Sequence, residues 1–330
     1  TSSASGAVSI GAGFAGGLVA QNEGAITGSS SASGNVSGTG TSGNQALLGG
    51  LVGSNNNGSI SSTSTVAASQ VVSGGAFSTV GGLIGNNNAN LSNLTASNTV
   101  SGTGSNTTVG GLIGQNEGTI SNFTRTGGTI SGTGAGSQNV TLGGLVGFNT
   151  GTLQDSSVSN TTITGSFANA GGLVGFNGGH ISGTNPGSVS ANTTITLEGS
   201  IAGGLVGINN SGGVVHNASA SGSLNRAAGA TQAMNFGGLV GWNRGAVDHS
   251  TASTAVNGGP GTAGGLAAQN EGSISDSSAS GNVSATGSAI SFAWIGGLIG
   301  DNRSGGTLSN VSVAGAQVVS SGGFADIGGL

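Results

Sequence analysis

The 330-residue chain carries only 4 basic and 9 acidic side chains, with a formal net charge of −5, so it lacks the cationic surface that nucleic-acid binding requires. Its 73 glycines approach a disordered composition, but 34% of the residues are hydrophobic and the glycines recur periodically, which favours a folded repeat protein. No apolar run reaches the ~18 residues that span a bilayer, and a chain without cysteine has no disulfide framework.

The sequence is organised around a repeated phrase, seen most clearly as Gly-Gly-Leu-Val-Gly-Phe-Asn at residues 143–149. Its copies recur about every 31 residues, a period typical of proteins built from stacked coils. They begin at Gly16, Gly49, Gly81, Gly110, Gly143, Gly171, Gly203, Gly237, Gly264, Gly296 and Gly328, and the last copy stops at Leu330. Each complete phrase and the residues that follow it are called coils one to ten.

Each coil has the pattern of two or three short strands. An apolar residue precedes the phrase, and a Leu, Ile or Val follows it, as at Ile26 and Ile274. A segment of variable length, such as 225–235, completes the coil. β-Branched residues separated by Gly, Ser and Asn indicate strands, and no segment has helical spacing. We therefore predict an all-β fold: a parallel β-solenoid (β-helix) of about ten coils, about 31 residues each, with right-handed winding.

Residues 1–330 are expected to form one continuous solenoid domain, because no linker interrupts the period. A solenoid normally has capping segments that shield its two ends. No such cap is recognisable in the sequence. We therefore expect this to be a window of a longer chain, or a unit that stacks end to end.

One asparagine recurs at the seventh position of every complete phrase. Asn tolerates left-handed backbone and binds nearby main chain, so it suits a corner between two strands. Stacked once per coil, these side chains would form a ladder of amide hydrogen bonds. We predict this structural role in preference to a row of ligand-binding residues. The members are Asn22, Asn55, Asn87, Asn116, Asn149, Asn177, Asn209, Asn243, Asn270 and Asn302.

The pattern Gly-Gly-Leu-Val-Gly-x-Asn-x-Gly-x-Ile resembles the GLUG repeat of bacterial surface proteins, found in adhesins of the filamentous haemagglutinin kind and in some immunoglobulin A peptidases. The resemblance covers essentially the whole chain. It departs chiefly at residues 88–90, where the Gly is lost, and at Ala20, Ala267 and Ala268. It implies an exported, cell-surface, β-helical repeat region. It assigns no catalytic residue, because the repeat has no assigned chemistry.

Charged side chains concentrate in coils seven to ten, where they are the strongest candidate for a polysaccharide-cleaving site. The cluster comprises His216, Arg244, Asp248, His249, Glu271, Asp276 and Arg303. Arg244, Glu271 and Arg303 fall at the eighth position of successive coils, so we predict that they stack with alternating charge, about 4.8 Å apart. We favour this structural interpretation over an active or metal site, and expect no catalytic residue, cofactor or metal.

The phrase also predicts a contact surface. Adjacent Leu and Val point to opposite faces of a regular strand, so one row should line the core and the other should be covered by a second layer of the coil or by a neighbouring molecule. The sixth position shares a face with the Val and is apolar only in coils five to eight. We predict that these residues form a stripe that packs against a variable segment or a partner chain. They are Phe148, Phe176, Ile208 and Trp242.

These features favour a structural repeat region of a secreted or cell-surface bacterial adhesin, or the subunit of an extracellular filament, over an enzyme. Expected partners are other copies of the chain, host or neighbouring cell surfaces, and glycans; neither nucleic acid nor a membrane span is expected. One alternative is a carbohydrate-binding or carbohydrate-cleaving β-helix. Others are the repeat stalk of a secreted peptidase and an ice-binding face built from threonine runs such as 161–164 and 193–196.

Overall fold

The computed structural model describes residues 2–66, 70–134, 140–287, 292–320 and 325–329. Leu330, at which the eleventh phrase stops, lies outside these ranges. The described residues form short parallel strands that stack coil upon coil, which confirms the predicted all-β parallel solenoid. No helix in the described ranges is both long and apolar enough to cross a membrane.

The strands that lead into the phrases form one parallel sheet, here called the entry sheet. Each of its 11 strands ends at the first glycine of a phrase. They are Gly13–Gly16, Ala46–Gly49, Ser78–Gly81, Thr108–Gly110, Val140–Gly143, Ala168–Gly171, Ser200–Gly203, Met234–Gly237, Gly261–Gly264, Ala293–Gly296 and Ala325–Gly328.

A second sheet, the phrase sheet, contains 10 strands that begin at the fourth residue of each phrase and end at its Asn. They are Val19–Asn22, Val52–Asn55, Ile84–Asn87, Ile113–Asn116, Val146–Asn149, Val174–Asn177, Val206–Asn209, Val240–Asn243, Ala267–Asn270 and Ile299–Asn302. Equivalent residues pair with one another, as Val146 with Val174 and Asn149 with Asn177.

The corner sheet follows the Asn and has 8 strands. They are Leu91–Ser92, Thr119–Ser121, Thr152–Gln154, His180–Ser182, Val214–His216, Ala246–Asp248, Ser273–Ser275 and Thr307–Ser309. In the first two coils a separate pair, Ala25–Ile26 and Ser59–Ile60, takes the same place after the phrase.

The long sheet closes the coil with 16 strands. They are Val8–Ile10, Val36–Gly38, Gln70–Ser73, Thr95–Ala96, Thr99–Thr103, Thr124–Thr126, Thr129–Thr133, Ser157–Ser166, Val189–Leu197, Ala218–Arg226, Thr251–Ala252, Ala255–Asn257, Ser278–Ala279, Val283–Ala285, Ser312–Val313 and Val318–Ser320. A smaller sheet of 3 strands comprises Ser3–Ala4, Ser31–Ala32 and Thr65–Val66.

Two apolar clusters fill the coils. One contains the Leu and Val of the phrase, with Leu153 of the corner sheet and Val158 at the start of a long strand. The other lies between the entry sheet and the second half of the long sheet, where Leu142 and Ile163 are fully buried. Burial of identical positions along the whole stack supplies the hydrophobic stabilisation of the rod.

The prediction that Leu and Val of the phrase face opposite sides was wrong. Leu145 and Val146 are both fully buried in the same cluster. The reason is a bend at residues 144–145, between the strand that ends at Gly143 and the one that begins at Val146. Since the chain turns there, both side chains point inward. Neither row therefore needs a second layer or a neighbouring molecule to cover it.

The two adjacent glycines of the phrase are required by close backbone contacts at this bend. A Cβ on Gly143 would lie 1.7 Å from the carbonyl oxygen of Val146, and one on Gly144 would lie 1.8 Å from that of Gly172. Backbone atoms cannot move aside as the end of a flexible side chain can. Any larger residue would therefore force the coils apart, which explains why the pair recurs with the period of the fold.

Candidate functional site

The asparagines of the phrase form a hydrogen-bonded ladder along the rod. The side-chain amide of Asn149 donates through Nδ2 to Oδ1 of Asn177 in the next coil at 2.9 Å, and to the carbonyl of Gly151 at 3.2 Å. The same amide-to-amide bond joins each neighbouring pair from Asn22 to Asn302 at 2.8–3.0 Å. Every asparagine thus binds an adjacent coil, and eight of them, all but Asn22 and Asn270, also donate to a carbonyl of their own corner.

The ladder continues through the coil in which the sequence departs from the pattern. Asn87 Nδ2 donates to the carbonyl of Ala89 at 2.8 Å and to Oδ1 of Asn116 at 3.0 Å. The corner bond needs a backbone carbonyl and no particular side chain, so it survives without the glycine. The hydrogen-bonded ladder therefore runs without a break through the coil that contains residues 88–90.

The predicted apolar stripe lies along the phrase sheet, where its four members pair in successive coils. The rings of Phe148 and Phe176 stack in parallel with centroids 4.7 Å apart. Ile208 is 9% exposed, whereas the aromatic members are half-buried. Phe148, Phe176 and Trp242 therefore each keep some surface that another molecule can reach. The predicted contact with a variable segment or a partner chain stays a prediction.

The charged residues after the stripe alternate in sign and contact one another. Glu271 lies 3.4 Å from Nε of Arg244 and 3.2 Å from Nη1 of Arg303. Arg303 also binds Asp301 at 2.8 Å, and these interactions raise its pKa, the hydrogen bond to Asp301 most of all. The guanidinium of Arg244 covers the ring of Trp242 at 3.4 Å, which joins this column to the stripe.

Three of the remaining members of the charged cluster, His216, Asp248 and His249, form a separate group at the corner sheet. His216 pairs with Asp248 of the next coil, and Nδ1 of His216 lies 2.9 Å from both carboxylate oxygens. Nδ1 of His249 lies 3.3 Å from Oδ2 of the same carboxylate. Asp276 binds instead to the amide of Asn310 at 3.1 Å. The seven residues therefore belong to more than one group.

Arg125 was not among the residues predicted from the sequence to have a role, yet it is only 1% exposed. Arg125 occupies a column of the long sheet filled by Ala96 in the preceding coil and Val158 in the next. Its guanidinium donates to the carbonyls of Gly111 and Asn98, both at 2.7 Å. Burial lowers its pKa to about 10. The signal was available, because aligning the coils places this lone cation among apolar residues.

Asp155 was also missed, although it organises the turn at residues 183–188. Its carboxylate accepts hydrogen bonds from Ser188 Oγ at 2.6 Å and from Thr184 Oγ1 and N at 2.6 and 2.7 Å. The bond from Ser188, followed by those from Thr184, lowers the pKa of Asp155. The two residues lie in the next coil, so sequence distance concealed the contact.

A groove of about 340 Å³ runs across the long sheet and is lined largely by Ser, Thr and Gly. Each Ser or Thr hydroxyl there can both donate and accept hydrogen bonds. Ser166 donates to Glu198 at one end of this groove. Within the threonine runs, Thr161 and Thr193 are 1% and 2% exposed and point inward. Only alternate members, such as Thr162 and Thr194, face solvent.

Comparison with known proteins identifies the repeat in one coil. A family model described as the GLUG motif matches residues 259–284. This segment contains the phrase that begins at Gly264, its Asn270 and the following Ile274. The match supports a GLUG-repeat protein and does not extend to an adhesin or haemagglutinin identity. Neither the curated proteins nor the solved structures that were searched contain a match.

Proposed function

We propose that this chain is the structural repeat region of a secreted or cell-surface bacterial protein, acting as a rigid rod in adhesion or in the formation of an extracellular fibre. The observation that carries the proposal is the asparagine ladder, which links the coils from Asn22 to Asn302 without interruption. A rod built in this way is held together from coil to coil along its length. It is suited to holding a binding end at a distance or to bearing load along a fibre.

The repeated residues of the phrase each help to build the coil, which supports a structural role for the chain. The glycines allow the tight bend, the Leu and Val fill the core, and the Asn joins the coils. Each position that recurs in the phrase is thereby used to build the rod. Binding would fall to residues that differ between coils, such as those of the stripe and the charged column. We accordingly propose a non-catalytic protein.

The extracellular location rests on composition and on the matched repeat. A surface with 4% charged residues and abundant Ser, Thr, Asn and Gly is common in exported bacterial repeat proteins. The GLUG match at residues 259–284 is consistent with this assignment. The proposed partners are further copies of the chain or the surface of another cell.

Imaging of the native material tests the proposal. Cells that express the protein would be labelled with an antibody against the 330-residue chain and examined by electron microscopy. We expect label on surface rods or on continuous fibres outside the cell. Label confined to the cell interior would contradict the proposal. Continuous fibres would favour the filament version, and isolated rods the adhesin version or a peptidase stalk.

The groove on the long sheet favours a second candidate, a glycan-binding face. Its hydroxyls at Ser131, Thr164 and Thr196 lie in adjacent coils and could bind successive sugar hydroxyls. A glycan array probed with the parent and with Thr164→Ala tests this candidate. Binding that is weakened by this substitution would support it. Binding that is unchanged, or no binding by the parent, would reject it.

A further inference from the structure

Three side chains from two adjacent coils converge on the outside of the corner sheet. Nδ1 of His216 and Nδ1 of His249 approach the same carboxylate oxygen, Oδ2 of Asp248, at 2.9 and 3.3 Å. One ligand atom from each residue lies within 4.8 Å of the other two. The side chains are 37%, 55% and 33% exposed for His216, His249 and Asp248, so an ion could enter from solvent.

The repeats themselves show that these residues are exceptional. In the column that holds His216 and Asp248, five other coils carry Ser and one carries Gln, namely Ser92, Ser121, Gln154, Ser182, Ser275 and Ser309. His249 has φ of 48°, and the equivalent left-handed residue is Asn or Asp at Asn93, Asn122, Asp155, Asn217, Asp276 and Asn310. Building the corner therefore requires no histidine. His216, Asp248 and His249 all differ from the usual residues of their columns, and the three lie next to one another in adjacent coils.

We propose that His216, Asp248 and His249 form a binding site for one divalent transition-metal ion, with Zn²⁺ the best match. Imidazole nitrogen together with carboxylate oxygen is a ligand set that such ions prefer over Ca²⁺ or Mg²⁺. Zn²⁺ held at about 2.0–2.1 Å in a tetrahedron separates its ligand atoms by roughly 3.3 Å. The two separations from the Asp248 oxygen, 2.9 and 3.3 Å, are close to this value. All three ligand atoms lie within 4.8 Å of one another, so binding an ion requires at most a local movement of the histidine rings.

The site supplies three protein ligands and leaves the fourth position open to water. Both histidines present Nδ1 to the carboxylate, and a bound ion would take the place of these contacts. Ser250 Oγ donates to the backbone carbonyl of Asp248 at 2.8 Å and thereby helps to fix the strand that carries the carboxylate. This ion site is independent of the asparagine ladder and of the proposed rod function.

The neighbouring coils provide substitutions that preserve the corner. His216→Ser and Asp248→Ser introduce the residue found in most coils of that column, and His249→Asn introduces one found at the same left-handed position. His180→Thr and Asp276→Asn are matched controls. His180 is the one histidine of the chain outside the site, and it pairs with Thr152. Asp276 occupies the position equivalent to His249 in the next coil.

The experiment is calorimetric titration of Zn²⁺ into the metal-free 330-residue chain, with Co²⁺ absorption as a second measurement of ligand geometry. We expect one saturable site per chain, tetrahedral Co²⁺ bands, and affinity at least about tenfold lower in each of the three site variants. Both controls should bind as the parent does. No saturable binding by the parent would overturn the proposal. So would site variants that remain folded by circular dichroism and bind as the parent, or controls that lose the ion equally.

Discussion

The guanidinium of Arg125 donates from Nη1 to the carbonyl of Gly111, the second glycine of the phrase in the same coil, at 2.7 Å. In the preceding coil, Nδ2 of Asn98 donates to the equivalent carbonyl of Gly82 at 2.9 Å. Two different side chains thus satisfy a backbone oxygen that the tight bend turns inward. In both coils a polar group enters the interior because the glycine pair creates an acceptor there.

This relationship predicts an unusual dependence of stability on pH. Burial lowers the pKa of Arg125 to about 10, well below its ordinary value, so above about pH 10 the folded chain releases a proton that the unfolded chain keeps. The free energy of unfolding should therefore rise with pH above about 10, by about 2 kcal/mol at pH 11.5. The chain has no Tyr or Cys, and its 4 basic residues are all Arg, so few other groups titrate in this range.

Denaturant unfolding of the parent and of Arg125→Met from pH 9 to 11.5 measures this effect. Met keeps most of the buried volume and removes the titrating group. The increase should be present in the parent and absent from the variant. If the free energy of unfolding changes with pH equally in the two proteins, Arg125 does not titrate in the folded chain.

Contacts between neighbouring coils were more predictable from the sequence than the direction of side chains at the bend. The period places Asn149 beside Asn177 and Arg244 beside Glu271, because stacked coils put equivalent positions in contact. The common inward direction of Leu145 and Val146 was not predictable in this way. It depends on a bend between two strands, whereas alternation is defined only within one regular strand.

The repeat period alone does not predict that His216, Asp248 and His249 come together. His216 and Asp248 share a column, and counting residues within each coil places them together. His249 joins them because its backbone is left-handed, with φ of 48°, which turns the side chain back towards the carboxylate. Asn, Asp and His all adopt positive φ more readily than other residues, but the period alone does not give the direction in which the side chain then points.

The asparagine ladder yields the next prediction. Asn177 accepts from Asn149 and donates to Asn209, both at 2.9 Å, and is fully buried. Asn177→Ala should lower the free energy of unfolding by about 1–3 kcal/mol, because buried partners in two coils lose hydrogen bonds. Asn192→Ala, at an exposed position of the long sheet, is the control and should have little effect. Chemical denaturation compares the two; equal losses would contradict the structural role.

The charged column predicts a salt-dependent penalty. Glu271→Arg would place three cations in register, since Glu271 now lies between Arg244 and Arg303. We expect a loss of about 1 kcal/mol at low salt, after screening by solvent, and a smaller loss at high salt. Glu117→Arg is the matched control because it occupies the same phrase position without a charged neighbour in the column. Equal stability of the Glu271 variant and the parent at low salt would contradict the proposed pairing.

Asp155 predicts a weakening of one turn in acid. Its pKa is lowered in the folded chain, chiefly by the hydrogen bond from Ser188, so its stabilising contribution is present above the unfolded pKa of about 3.9. That contribution is lost as the pH falls through the lower, folded value. Asp155→Asn should therefore reduce protection of residues 183–188 against hydrogen exchange at pH 6 more than at pH 2. The same difference at both pH values would show that the carboxylate charge is not what holds the turn.

The stripe yields a prediction about association between molecules. Phe176 stacks on Phe148 and Trp242 lies beneath Arg244, yet each of these aromatic side chains remains half-buried. Contact with a second chain would remove the remaining apolar surface from water, which favours association by about 25 cal/mol for each Å² covered. Phe176→Ser with Trp242→Ser should therefore weaken lateral or end-to-end association while leaving the rod folded.

Analytical ultracentrifugation at several concentrations measures association, and thermal unfolding shows whether the variants remain folded. The matched control is Phe14→Ser, which changes an aromatic residue that is 46% exposed on the entry sheet, outside the stripe. We expect the double variant to be less associated than both the parent and this control at the same concentration. If the double variant unfolds at lower temperature but its folded fraction associates as the parent does, the stripe serves the packing of its own coil. The contact surface would then lie elsewhere on the rod.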